Sequence, residues 1–509
     1  MANNDAHDTR TTVPANRATQ AVSLSVAAMS GAVDGLASNY PLEILQPEAG
    51  LTTTNRFYKA YPGFEYNVRM GVIGGKFPFM YSLPTAPAGM TINSSTGEIN
   101  WPSPAASGTP YSVTANVTDA ENTTRSVSWT VLVTTAGFLF VDAVNGTSTA
   151  LGGTGTIGNP WKTIKDMYGG DTDAAMRADF HPGEFVYWRA GEYQMTGYLS
   201  DDGTGTYGDG MRMYFRGNTK PQVWLRYPGD AKPIFNQDEA HIYFESGGRD
   251  VWLDEMDFRS ENNPRHMGMN IASSRQNVMI RRCDYSGIVG GFQGGNNALL
   301  FIKLWGLGTN FVIQGNTFSD VDQGYGILNY RTTKVLVEDN LFDTIGTDSQ
   351  VNGHALGMKV MAHRWDVRSN TFRNNALESI TLHYSDYQPD VCGDIEIRHN
   401  VVEAGGGDVF INQSFESLGL PVYTYRNTFM DTVKVRAVRD TNGPFYFSNN
   451  VIINDSSSED NVTQLDIFAP SRVILTDNLN GSSVDNIVDA QGNLTAAYAE
   501  FIGTRGAQL

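Results

Sequence analysis

The sequence predicts an all-β protein whose second half winds as a stack of short, similar turns of chain. The first observation behind this is a recurring asparagine followed two positions later by an aromatic or aliphatic residue. It occurs in Gly315-Asn316-Thr317-Phe318, Asp339-Asn340-Leu341-Phe342, Ser369-Asn370-Thr371-Phe372, His399-Asn400-Val401-Val402, Arg426-Asn427-Thr428-Phe429 and Asn449-Asn450-Val451-Ile452, with a weaker match at Asn478. The second is the spacing of these copies, 23 to 30 residues, which falls in the range of solenoid repeats. The third is that the copies tend to end short alternating runs such as Val335-Leu336-Val337-Glu338 and Ile395-Glu396-Ile397-Arg398. A composition rich in Gly (53 residues), Asn and Thr and poor in Lys suits turn-dense β structure.

This pattern resembles that of a right-handed parallel β-helix. A buried asparagine at the same corner of each coil would hydrogen-bond its neighbours above and below. Asparagine also tolerates the left-handed backbone that such a corner needs. The apolar residue after it would stack in the interior. Val251–Phe258 and Val278–Tyr285 keep the rhythm with Met256 and Cys283 at the asparagine position.

Ahead of the repeats, 509 residues exceed one ordinary core, so several units are expected. Residues 1–47 are polar and Ala/Ser/Thr-rich, and read as an extended anchoring segment lying against a larger assembly. Residues 48–135 carry strand signals at Phe64–Val68, Phe77–Tyr81, Tyr111–Val117 and Ser126–Val133, with a turn signal at Ser94-Ser95-Thr96-Gly97 and another at Thr118-Asp119. This unit resembles the immunoglobulin-like, cadherin-like modules of bacterial and phage surface proteins. The resemblance implies a non-catalytic β-sandwich serving as a spacer or adhesion module.

A new start follows at Phe138-Leu139-Phe140-Val141-Asp142, then Asn159-Pro160-Trp161 and His181-Pro182-Gly183-Glu184. It is similar to the first coil of the pectate-lyase-like β-helix superfamily. The resemblance implies a short amphipathic helix over about 161–178 that plugs the open end of the rod, where an uncovered sheet edge would aggregate. The β-helix is expected over 136–490, with a C-terminal tail at 491–509. The trimerisation domain of many phage tailspikes is not evident there.

The formal charge of −18 argues against nucleic-acid binding and against docking on an anionic membrane. No apolar run reaches 18 residues, so no membrane insertion is expected. The apolar stretch Ala21–Met29 is short, serine-broken and preceded by Asp5 and Asp8, a poor secretory signal. A virion protein released by lysis needs none. Cys283 and Cys392 lie in no metal-ligand spacing, and two cysteines cannot form a disulfide framework.

Counting back from each ladder asparagine gives a second strand per coil. Its interior residues would be Ile302, Leu328, Met358, Leu382, Ile411 and Val435. Its outward row would be Lys303, Asn329, Lys359, His383, Asn412 and Arg436. His354 and Glu378 enter the strands of Lys359 and His383, and Arg331 stands two residues beyond Asn329. Proton abstraction beside a uronate carboxylate needs a base and a cation to neutralise the carboxylate. Lys359 or His383 supplies the first role, and Arg331 or Arg436 the second, with His354 and Glu378 beside them. Lys303, Asn329, Asn412 and Trp305 would bind the chain, Trp305 by stacking on a sugar ring. This is similar to the β-helix lyases, which use Lys or Arg bases and often calcium. Calcium stays open here, since Asp343, Asp348, Glu378 and Asp386 are dispersed and form no evident cage, and no other cofactor is expected. A hydrolase using Glu378 with Asp348 or Asp386 is the competing chemistry. A solvated surface and a non-catalytic groove are the competing non-enzymatic readings.

The expectation is therefore a homo-oligomeric protein of a virion surface or of the extracellular space. It would bind, and in one reading depolymerise, a polysaccharide, while residues 1–47 engage other virion proteins. A secreted lyase of an acidic glycan and a purely structural decoration protein are the alternatives.

Overall fold

The computed structural model describes residues 40–48, 55–164, 166, 185–194, 211–215, 222–237, 240–244, 249–259, 269–271, 276–287, 300–321, 324–346, 354–375, 379–383, 393–403, 409–412, 420–430, 433–436, 444–453, 462–465, 473–481, 485–501 and 505–507. Among these no helix is long and apolar enough to cross a membrane. The helix expected over 161–178 falls outside them beyond Asp166, as does Cys392.

The chain is all-β. Its first unit is a two-layer sandwich. One layer orders Lys59–Ala60, Thr124–Val133, Tyr111–Thr118 and Met80–Thr85; the other joins Tyr66–Arg69, Glu98–Trp101 and Thr91–Ile92. Alternation in Thr124–Val133 buries Val127, Trp129, Val131 and Val133 and exposes the residues between them, as a half-solvated antiparallel strand requires. Glu43–Gln46, in the segment read from sequence as extended, is a strand paired with Gly71–Ile73.

The second unit is a parallel β-helix. Each coil runs through a first sheet, a second sheet, the asparagine corner and a third sheet. The first sheet includes Ala240–Phe244, 325–330, Ile380–His383 and Val433–Arg436. The second includes Arg249–Asp254, 333–338, Gly393–Arg398 and Phe445–Ser448. Leu300–Gln314, Tyr325–Glu338 and Leu356–Arg368 run unbroken through both, which merges the two sheets into one 19-stranded ladder. The third sheet has 11 strands, from Glu192–Gln194 to Leu479–Gly481.

The ladder is formed as the repeat implied. Asn316, Asn340, Asn370, Asn400, Asn427, Asn450 and Asn478 are all buried. Nδ2 of Asn340 donates to Oδ1 of Asn370 at 2.9 Å, and its backbone N–H reaches the same oxygen at 2.9 Å. Cys283 starts the ladder, its N–H donating to Asn316 Oδ1 at 2.9 Å. The left-handed residue, however, is the one before each asparagine: Asp339, Ser369, His399 and Arg426 have φ between 53° and 56°. The asparagine supplies hydrogen bonds and its neighbour makes the bend. Inside, Phe235, Phe258, Tyr285, Phe318, Phe342 and Phe372 stack coil upon coil, the last two pairs with centroids 4.8 Å apart.

The sandwich is not a spacer set apart from the rod. It lies along the outer face of the second sheet, and the two share one apolar core. Phe57, Met70 and Val72 pack with Tyr187, Leu225, Trp252, Met279, Val312 and Leu336. Farther along, the apolar seam gives way to buried ion pairs. Arg368 Nε meets Glu338 at 2.8 Å, its Nη1 meets Asp366 at 2.6 Å, and Arg398 pairs with Asp366 and with Glu396 at 3.1 Å. Arg398 also donates to the carbonyls of Gly74 and Gly75 in the sandwich, at 3.1 and 2.9 Å.

The C-terminal segment covers another face. Ile487, Leu494, Tyr498 and Phe501 pack on Val451, Ile453 and Leu479 of the third sheet, and the N–H of Ala507 donates to Thr428 Oγ1 at 3.0 Å.

Candidate functional site

Among the described residues, the sandwich packs on the second sheet and the C-terminal segment on the last coils of the third, and neither packs on the first sheet. Its register aligns Trp305 with Tyr330, Tyr330 with Lys359, and Lys359 with His383. The Thr381–Phe410 pairing carries His383 on to Asn412, which pairs with Arg436. Consecutive members stand about 4.8 Å apart along the rod. They alternate along each strand with core positions: Met358 and Leu382, the residues before Lys359 and His383, are fully buried. Lys359, His383, Asn412 and Arg436 therefore occupy one backbone row, as counting from the ladder implied.

Two members of the expected row stand elsewhere. Asn329 aligns with Leu304 and Met358, is fully buried, and accepts a hydrogen bond from Thr332 Oγ1. Tyr330 takes its place in the row. Lys303 aligns with Leu328 and Gly357, two positions along the strand from Trp305. The cause is the bend between the first and second sheets. Between the pairings Trp305–Tyr330 and Gly308–Thr332, one strand has two residues and the other only Arg331. A fixed offset from the asparagine therefore slips at this coil, and a slip of one residue exchanges core and surface.

Arg331 is that single bend residue, half-buried with φ 67°, at the end of the row rather than in it. His354 is half-buried before its strand, its ring 5.3 Å from that of Tyr325. Glu378, Asp348 and Asp386 lie outside the described residues. Tyr325 and Leu328 are buried and contact the half-buried Tyr330. The Tyr325 ring lies so close over the next coil that a Cβ on Gly357 would come 2.6 Å from its Cε1. Glycine there lets the aromatic floor run beneath the position of Lys359.

A second charged row, missed in the sequence, lies on the third sheet. Arg373 aligns with Asp343 on the coil before it, and Glu403 follows Val402, the partner of Phe372. Arg373 donates to Asp343 Oδ2 through Nε at 2.9 Å and Nη2 at 2.7 Å, and Asn374 donates to Oδ1 at 3.0 Å. Partial burial would raise the Asp343 carboxyl, but the bonds from Arg373, Asn374 and Thr344 outweigh it and hold it below its usual range. Burial moves Glu403 the other way; Arg373 opposes the rise and Asp343 adds to it. The sequence signal was the position after each interior aromatic, which holds Asp343 after Phe342 and Arg373 after Phe372. Among the described residues, no group of three or more His, Cys, Asp or Glu is placed to hold a metal ion.

Fold and face together define an all-β protein in which an immunoglobulin-like sandwich is fused along a parallel β-helix. Residues 47–134 match a family described as Putative Ig domain. No curated protein matches the chain. Among solved structures, the crystal structure of the GH136 lacto-N-biosidase from Eubacterium ramulus is similar over 68% of this chain and 68% of that one, at 10% identity and a TM-score of 0.37. That likeness is too slight to bear on fold or chemistry.

Proposed function

We propose that this protein binds a polysaccharide along the outward face of the first sheet and cleaves it by acid–base chemistry. The observation that carries the reading is the adjacency of Lys359 and His383, aligned on consecutive coils of the face that neither the sandwich nor the C-terminal segment covers. A linear glycan laid along such a row meets a polar position about every 4.8 Å. Lys359 or His383 serves as the base that abstracts the proton beside the carboxylate. Arg436, two coils beyond His383 on the row, or Arg331 at the bend would neutralise a uronate carboxylate, a need of β-elimination rather than of hydrolysis. This is the chemistry of the pectate-lyase-like superfamily that the sequence resembles.

The test is a screen of acidic and neutral polysaccharides, read by the ultraviolet absorbance of the conjugated double bond that elimination creates. Lys359→Ala and His383→Ala should each abolish turnover and leave the melting temperature within about 2 °C of wild type, because their backbone positions alternate with the core residues Met358 and Leu382. Full activity in both variants removes the chemistry from this face.

One observation favours a second reading. Asp343 and Glu403, shifted in opposite directions, stand two coils apart, about 10 Å along the axis. That is near the wider spacing of inverting glycoside hydrolases. New reducing ends without new ultraviolet absorbance, lost in Glu403→Gln, would select it.

Residues 40–47 are built into the sandwich, so it is the polar residues 1–39 that would engage other virion proteins, in a virion-surface or extracellular setting where the chain self-associates. Sedimentation of the full chain beside a variant lacking residues 1–39 tests this; an unchanged monomer in both counts against it.

A further inference from the structure

One outward row of the second sheet passes from Leu336 through Asp366 and Glu396 to Tyr423, Tyr446 and Ile474 on successive coils. Leu336 belongs to the core shared with the sandwich, and Asp366 and Glu396 are fully buried. That shared core takes in none of the last three, which are half-buried. The rings of Tyr423 and Tyr446 stack, their centroids 5.0 Å apart and their planes 11° apart. Pro421 and Pro444, also half-buried, stand two residues before them on the same face. The end of this face beyond the sandwich is thus apolar, where solvent alone would favour polar side chains. The strands carry the matching sequence pattern. Phe445-Tyr446-Phe447 and Val473-Ile474-Leu475 are apolar on both faces, like Val278-Met279-Ile280 beneath the sandwich.

The chain's own N-terminal side leads to this face. Asp250, Asn277, Lys334 and Arg364 mark later and later coils at the start of the second sheet. Asn55 donates to Asp250 at 3.3 Å, Glu48 accepts from Asn277 at 2.6 Å, and Glu43 pairs with both Lys334 and Arg364. The Tyr40 ring lies 5.3 Å from the Arg364 guanidinium, within electrostatic reach of Asp366 and Glu396. Followed backwards from Asn55, the chain therefore climbs the rod towards its C-terminal end. At Tyr40 it stands beside Glu396, one coil before Tyr423. The coils of Tyr423, Tyr446 and Ile474 extend about 14 Å farther, a distance that about five extended residues span. Residues 30–39 carry Val33 and Leu36 and a single charge, Asp34.

We propose that the outward face of Tyr423, Tyr446 and Ile474 is a docking surface for residues 30–39 of the same chain, with Val33 and Leu36 as the apolar contacts. The seam begun by the sandwich then continues to the last coils of the second sheet. This leaves residues 1–29 to engage other proteins, and it directs them from the C-terminal end of the rod rather than from its flank.

Nitration of Tyr423 and Tyr446 by tetranitromethane at fixed pH, read by peptide mass spectrometry, tests this on the full chain, on a variant lacking residues 1–29 and on one lacking residues 1–39. Tyr498, half-buried on the C-terminal segment, is the internal reference. Both tyrosines should react about tenfold more slowly in the full chain and in the shorter truncation than in the longer one, the protection of a face covered about nine-tenths of the time. Val33→Asp with Leu36→Asp in the full chain keeps the length, sets charge against the apolar row and should restore the fast rate. The ratio to Tyr498 separates uncovering from unfolding, which would speed all three. Protection should persist on dilution, since the occupant belongs to the same chain. The inference is overturned if removing residues 1–39 leaves the rates unchanged, if protection is already lost without residues 1–29, or if the doubly substituted chain stays protected. Protection that falls on dilution also overturns it, since the occupant would then be a second copy. The anchoring reading fails separately, as an unchanged monomer in sedimentation.

Discussion

A ladder asparagine spends all of its side chain on its neighbours. Nδ2 of Asn370 donates to Val337 O at 2.9 Å, to Arg368 O at 3.0 Å and to Asn400 Oδ1 at 2.9 Å, while its Oδ1 accepts twice from Asn340. Asn370→Ala orphans groups on both adjoining coils and should cost about 3 kcal/mol or more. Asn370→Asp keeps the shape but loses the donors and buries a carboxylate, so it should cost at least as much. Urea midpoints check both, and a smaller loss for the aspartate would mean that shape rather than hydrogen bonding holds the corner. One residue upstream of Asn400, His399 makes the left-handed bend with a fully buried ring 4.3 Å from that of Phe77 and both nitrogens unpartnered. Burial, then Arg398, Arg426 and Arg368, hold its pKa well below the usual histidine value. A depressed histidine leaves the folded state binding fewer protons than the unfolded chain. Stability should then be level above about pH 6.5 and fall below it by up to about 1.4 kcal/mol per pH unit. His399→Leu should flatten that slope between about pH 5 and 6.5, read as urea midpoints across pH. A slope unchanged in the variant would assign the acid sensitivity to other groups.

At the scale of strands and sheets, the seam depends on close approach. Gly71, on the strand that pairs with Glu43–Gln46, faces Val312 of the rod, and a Cβ there would lie 2.6 Å from Val312 Cγ2. Gly71→Ala should destabilise by about 1 to 3 kcal/mol, and Val312→Ala in the same chain should recover part of that loss. A double-mutant cycle with no coupling would separate the two surfaces. How legible each element was follows from its physics. The ladder could be read because one corner recurs with one residue type, and the sandwich strands because half-solvated strands alternate. The lateral docking left a quieter mark. Val251-Trp252-Leu253, Val278-Met279-Ile280 and Val335-Leu336-Val337 are apolar on both faces, as strands covered on both sides must be. Counting only ladder spacings misses that. The first-sheet row was legible for Lys359, His383, Asn412 and Arg436. It failed at Lys303 and Asn329, because the length of a bend is set by backbone geometry that leaves no residue signature beyond Arg331 in a left-handed conformation.

For the whole molecule, the shared core makes sandwich and rod one cooperative body. Pulling the sandwich away would expose Trp252, Met279, Val312 and Leu336 to water and would strand Arg398, Arg368 and Asp366, all fully buried beneath it. Replacing one partner of such a network leaves an uncompensated charge, so Asp366→Ala should cost about 3 to 5 kcal/mol. Acid attacks the same seam. Burial would raise the pKa of Glu338, but Arg368 and Arg69 outweigh it and hold the carboxyl below its unfolded value. A depressed carboxylate contributes stability that is present above its unfolded pKa, about 4.3, and is lost as pH falls through the folded one. Calorimetry of the full chain at neutral pH should therefore show sandwich and rod melting in one transition, since neither exposes its docking face alone. As pH falls below the unfolded carboxylate value, about 4.3, the stabilisation from Glu338 is progressively lost, the seam weakens first, and a lower transition belonging to the sandwich should separate. In Glu338→Gln this acid-induced splitting should shrink, because the group that titrates is gone. Two transitions already present at neutral pH, the lower one matching residues 40–135 produced alone, would mean that sandwich and rod merely touch.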